Sequence, residues 1–185
     1  MNRFIAIVSL FLVGGTLIPA AVAVQNAPTQ KLEWKEYSYP EDGIVFSAPS
    51  KPAFMKQNQD TADGPVELHL HYIEMSGSVA FIGVGDMKEK KNDAPVKAIL
   101  EGAKTSSLRA RKATLVSEKQ VSLQGNSGIE YEANGDTFHF RARIFFVKGK
   151  MVTALVNAPI ASPLSSEAMK LFDTLRFVEP LPAKN

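Results

Sequence analysis

Cysteine is absent from all 185 residues. That excludes disulfides, thiolate zinc sites, a cysteine nucleophile and a lipid-modified cysteine anchor. Charge of one sign is also missing: 21 Lys+Arg stand against 19 Asp+Glu, a formal net charge of +2. So small an excess does not suit a protein that grips nucleic acid by neutralising phosphates. No Gly-x-Ser-x-Gly elbow occurs, no phosphate-cradling Gly-Lys-Thr loop, and no dinucleotide fingerprint opening a helix. What is present is ordinary globular material. Hydrophobic residues make 45% and charged residues 22% of the chain, which excludes disordered and collagen-like classes.

Long hydrophobic runs are limited to one. Arg3 and the amino terminus give a short positive region, Phe4 to Ile18 runs apolar, Pro19 breaks it, and Ala21-Val22-Ala23 supplies a small-residue cleavage pattern. The run falls short of the ~20 residues a spanning helix needs, and Gly14, Gly15 and Thr16 weaken it further. Residues 1–23 are therefore read as an export signal cleaved after Ala23, against the alternative of an uncleaved anchor. The mature chain is expected to be periplasmic or secreted, with no membrane span after cleavage. Residues 24–31 read as a polar lead-in, 32–180 as a single α+β domain and 181–185 as a tail.

Most of the domain carries strand patterning. Leu32 to Tyr39 leads into Pro40-Glu41-Asp42-Gly43, a turn in which proline sets φ, Asp bonds its own backbone and Gly takes positive φ. Ile44 to Ala48 is a short apolar strand. Phe54 to Gln59 is set to pair with Val66 to Met75 across Asp63-Gly64-Pro65, and Ser78 to Asp86 follows, its Gly83 and Gly85 suggesting a bulge or a close approach. Ala113 to Leu123 reaches a Gly125-Asn126-Ser127-Gly128 turn, Ile129 to Ala133 meets a tight Asn134-Gly135 hairpin, and Lys148-Gly149-Lys150 joins Thr137–Val147 to Met151–Val156. Two segments have helical period. The first is capped by Asp93, with Val96, Ile99, Leu100, Ala103 and Ser107 on one face and Lys97, Glu101 and Lys104 away from it. The second starts at Ser162-Pro163, with Leu164, Ala168, Leu171, Phe172 and Leu175 as its stripe. The order implies a mainly antiparallel sheet covered by two amphipathic helices.

Several of these landmarks coincide with a known pattern. They are Trp34 through Pro52, the helix from Val96 to Arg111, Ser117-Glu118-Lys119, the Gly125 to Gly128 turn, Glu130, the Arg141 to Arg143 strand, Lys148-Gly149-Lys150, and Leu171 through Phe177. Together they resemble a group of small exported bacterial proteins with a PsbP-like fold, a layout similar also to a Ran-binding nuclear import factor. The resemblance implies a helix-flanked antiparallel sheet that works by binding a protein partner, and it brings no catalytic residue. Asn126-Ser127 and Met151-Val152-Thr153 depart from the group's usual residues at those turns.

Three constellations carry possible chemistry. His69 and His71 share a strand face with Glu67, a set able to hold zinc or copper; the plainer reading is the solvated face of a strand whose apolar side is Leu68, Leu70 and Tyr72. A further ligand, such as His139, would have to come from elsewhere, and the expectation is no bound metal and no cofactor. Arg141 and Arg143 share a face able to clamp an anion, but cross-strand pairing with Glu130 and Glu132 is favoured. Trp34, Tyr37 and Tyr39 form either a binding ridge or, as favoured, core and edge packing. The functional reading is an exported soluble non-enzymatic domain that binds a protein or envelope component. The alternatives are an extracytoplasmic small-ligand or metal-binding protein and, least favoured, a hydrolase.

Overall fold

Alternating segments pair here as antiparallel neighbours, and the two helical segments close over them. A computed structural model describes residues 33–61, 64–75, 77–87 and 95–179, all within one compact unit, Leu32–Asn185. The elements are β1 (Lys35–Tyr39), β2 (Ile44–Ala48), β3 (Ala53–Thr61), β4 (Gly64–Met75), β5 (Ser78–Asp86), α1 (Val96–Arg111), β6 (Thr114–Leu123), β7 (Asn126–Asn134), β8 (Phe138–Val147), β9 (Lys150–Pro159), α2 (Ser166–Thr174) and β10 (Arg176–Phe177). The export segment over 1–23, the lead-in over 24–31, Asp63, the Asp93 cap and the 181–185 tail lie outside the described residues.

Seven strands form one antiparallel sheet in the order β3-β4-β5-β9-β8-β7-β6, and β1-β2-β10 form a second, small one. The α+β class read from the sequence is the observed one. Strand alternation gives the large sheet two apolar faces. On one face Ile82, Val84, Phe145, Val152 and Ala154 meet Phe46 of β2 and Ala168, Leu171 and Phe172 of α2. On the other, Tyr131, Phe140, Ala142, Ile144 and Leu155 meet Leu100 of α1. Each large side chain so buried contributes about 1.5–3 kcal/mol. Among the described residues no helix is long and apolar enough to cross a membrane.

Local boundaries differ from expectation at several places, each for a physical reason. α2 does not start at Ser162-Pro163. Ser165 is its cap, its hydroxyl accepting the Ala168 N–H, and Glu167 sits in the first turn where the helix dipole favours an acid. Lys104 of α1 is not solvent-facing: it is buried and paired with Glu101 at 2.6 Å and with Glu118 of β6. The turn after β6 is the two-residue Gln124-Gly125, both at positive φ, rather than Gly125 to Gly128. Gly128 lies inside β7 instead, where the Phe145 ring occupies the space of its missing side chain. Asn134-Gly135 is not a two-residue hairpin either: Asn134 pairs with His139, and Gly135 donates its N–H to the Phe138 carbonyl at 2.8 Å. Gly83 and Gly85 form no bulge, since β5 keeps register with both neighbours; Leu70 and Leu68 lie against them in close approach.

Candidate functional site

The β1–β2 turn places the central group. The Asp42 N–H donates to the Tyr39 carbonyl at 3.0 Å, and Gly43, at φ 75°, donates to Pro40 at 3.2 Å. This tight reversal turns the Asp42 carboxylate inward, where it is 2% exposed. From the large sheet, His69 and His71 reach it from the face of β4 that β2 covers. His71 Nε2 lies 2.7 Å from Asp42 Oδ2, and His69 Nδ1 bonds Asp42 Oδ1. His69 Nε2 lies 2.9 Å from Glu67 Oε1, which also accepts from Lys56 at 2.9 Å. Both ring nitrogens of His69 thus face carboxylates. With its Nε2 committed to Asp42, His71 has its Nδ1 buried and without a hydrogen-bond partner among the described residues.

Rings enclose the imidazole of His71: the centroid of Tyr39 is 3.9 Å away, that of Phe54 5.2 Å and that of Phe46 6.0 Å. Burial pushes the Asp42 carboxyl up, but the hydrogen bonds from His71 and His69 outweigh it and hold the group below the usual carboxylate range. The cluster therefore stores a carboxylate as the anchor of two imidazoles. Among the described residues no hydroxyl bonds either ring.

The structure brings Glu67, His69 and His71 together, but their face is not solvated. The β1–β2 hairpin covers it, and His71 is fully buried. One ring nitrogen of each histidine bonds Asp42, and among the described residues no group of three or more His, Asp or Glu has a metal-holding arrangement. His139 is elsewhere, its Nε2 2.7 Å from the Ser162 carbonyl. Asp42 itself escaped the sequence reading, which used it as a turn residue. The available signal was an acid one glycine ahead of the wholly apolar start of β2.

On β8 the two arginines pair across strands, in register with β7. Arg143 Nε donates to Glu130 Oε2 at 2.5 Å and Arg141 Nε to Glu132 Oε1 at 2.7 Å. Arg143 also donates to the Phe172 carbonyl at 3.1 Å and lies over the Phe172 ring, tying α2 to the sheet. Burial raises the Glu130 carboxyl, and Lys119 with Arg143 more than reverses that, leaving it below its ordinary value. A recess of about 200 Å³ opens beside these pairs, lined by Ser117, Lys119, Glu130, Glu132 and Arg141. Glu118 lines it too, and each of its acids is already paired: Glu118 with Lys104, Glu130 with Lys119 and Arg143, and Glu132 with Arg141. The aromatic ridge does not form: Tyr37 and Tyr39 pack on the core, and Trp34 rests on α2, bonding Glu167 with Lys170 over its ring.

No family model and no curated protein matches the chain. Among solved structures the chain is similar to cyanobacterial PsbP from Synechocystis sp. PCC 6803, determined in solution. The TM-score is 0.55 and the identity 11%, over 83% of this chain and 97% of that one. The likeness shows a PsbP-like fold.

Proposed function

We propose that the chain is an exported, non-enzymatic domain that binds a protein or envelope component by taking an extended segment along β3. The carrying observation is the state of the large sheet's two edges. β3 is an edge strand of nine residues in unbroken register with β4, from Ala53 opposite Tyr72 to Thr61 opposite Gly64. It presents Phe54 at 50% and Met55 at 48% exposure. Edge strands offer unpaired N–H and C=O groups, and a regular edge with apolar side chains is suited to strand addition. The opposite edge, β6, is blunted: its register breaks between Leu115 and Ser117, a bulge that interrupts pairing. The PsbP-like fold and the neutralised Arg–Glu face support a binding rather than a catalytic role.

A photoreactive residue at Met55 tests the reading in intact cells, with one at Lys97 on α1 as control. A discrete adduct from position 55 and none from 97 is expected, together with a mature chain beginning at Val24 in the envelope fraction. Absence of any adduct from position 55, or an intact chain retained in the cytoplasm, overturns it. So does turnover of a generic ester that a single Ser or Glu substitution abolishes.

A further inference from the structure

Arg111 closes α1 and is half-buried between that helix and the large sheet. Its guanidinium carbon lies 5.9 Å from the Phe81 ring centroid and 5.7 Å from that of Phe140. Its one hydrogen bond among the described residues runs from Nη1 to Ser107 Oγ, at 3.0 Å. The other half-buried arginines, Arg141 and Arg143, each have a glutamate; no carboxylate faces Arg111 among the described residues. Burial disfavours its charged form and lowers its pKa from the ordinary value. Arginine nonetheless keeps its proton in proteins, so the charge persists without a counter-ion.

Around it donors outnumber acceptors. Ser107 Oγ also accepts from the Tyr131 hydroxyl at 2.8 Å. With two donors on that oxygen, the serine's own proton is left to give. Nε and Nη2 of Arg111 have no acceptor among the described residues. Tyr72, whose ring lies 5.8 Å from that of Phe81, is close enough to act electrostatically on the guanidinium, and its hydroxyl makes no hydrogen bond among the described residues. A guanidinium fork matches the two oxygens of a carboxylate, and the half-buried Tyr72 and Phe81 rings offer apolar surface beside it.

The geometry points to a binding site for a small organic monocarboxylic acid, its carboxylate on Arg111 and Ser107 and its apolar body against Tyr72 and Phe81. The site lies on the α1 side of the sheet and stands independently of the β3 reading. Benzoate is the probe, with inorganic phosphate as the comparison. Benzoate is expected to raise the Tm of the purified protein saturably, since a ligand that binds only the folded state stabilises it. Arg111→Lys, which keeps the charge and loses the fork, is expected to weaken that binding about tenfold or more. In a titration of the unaltered protein followed by NMR, the Arg111 Nε–H and the Tyr72 and Phe81 ring signals should move together, which decides the matter even where the variant does not fold. Benzoate binding untouched by Arg111→Lys, signals that move elsewhere or not at all, or phosphate bound as tightly as benzoate would overturn the assignment.

Discussion

Asp42 and His71, 29 residues apart in the chain, are joined by a 2.7 Å hydrogen bond between Oδ2 and Nε2 in a site that solvent does not reach. The bond fastens the turn of the small sheet to a strand of the large one. Each partner has a different alternative when the other is removed, and this makes the contact separable by mutation.

Asp42→Ala leaves His71 buried with neither ring nitrogen bonded and takes from His69 one of its two carboxylate partners. A loss of about 3 kcal/mol is expected, as for a broken buried pair. His71→Phe should cost less, about 1–2 kcal/mol, because the surrounding aromatic rings accept another ring and Asp42 retains His69. Urea midpoints of the two variants check the ranking; equal losses would contradict it.

Acid should unfold the domain through two carboxyls in particular. Asp42 and Glu130 are both held below their ordinary values in the folded chain. Such groups contribute stability above their unfolded values and lose it as pH falls through the folded ones. The Tm is therefore expected to hold through mildly acidic solution and to drop below about pH 4. Asp42→Asn and Glu130→Gln should each lower the Tm at neutral pH and flatten the acid limb. An acid limb of unchanged steepness in both variants would contradict this.

Two glycine substitutions should have opposite signs. A methyl group at Gly128 meets the Phe145 ring and the Ile144 carbonyl oxygen, so Gly128→Ala is expected to cost about 2–3 kcal/mol through overpacking. Gly102 on α1 has nothing within 4 Å of such a group. Gly102→Ala should stabilise by about 0.5–1 kcal/mol by restricting the unfolded chain. Thermal unfolding of both variants is the measurement.

Gln124 acts as a strand made of one side chain. Its amide oxygen accepts the Phe177 N–H at 2.6 Å, and its amide nitrogen donates to the Phe177 carbonyl at 3.1 Å. Gln124→Ala should cost about 1–2 kcal/mol and speed hydrogen exchange at the Phe177 amide. Exchange at core amides such as Ala142 should change only as far as global stability does.

How far the sequence could be read depended on the distance over which each signal acts. Strand alternation in β8 placed Phe138, Phe140, Ala142, Ile144 and Phe146 on one face and the arginines on the other, because period-two patterning is local. That the arginines pair with Glu130 and Glu132 was legible, but not which meets which: an Asn134-Gly135 turn would set Glu130 opposite His139, whereas the observed register sets it opposite Arg143. Alternation does not reveal which face another element will cover. His69 and His71 therefore read as solvated, although β2, many residues earlier, lies over them. Asp42 was legible as a turn residue for the same reason: its second role exists only once the small sheet docks. Ser162-Pro163 read as a helix start, but the observed cap is Ser165, whose hydroxyl accepts the Ala168 N–H and which Glu167 follows in the first turn. That each helical stripe must be buried against the sheet was legible; that α2 and α1 take opposite faces was not, because the expectation was one apolar face covered by both.

Strand β2 has β1 on one side and β10 on the other, the opening strand of the described fold and its closing one. A ribosome must therefore release Arg176 and Phe177 before β2 gains its partner β10. Any chain cut short ahead of Arg176 would lack that partner, so translation through Phe177 is itself a checkpoint for assembly.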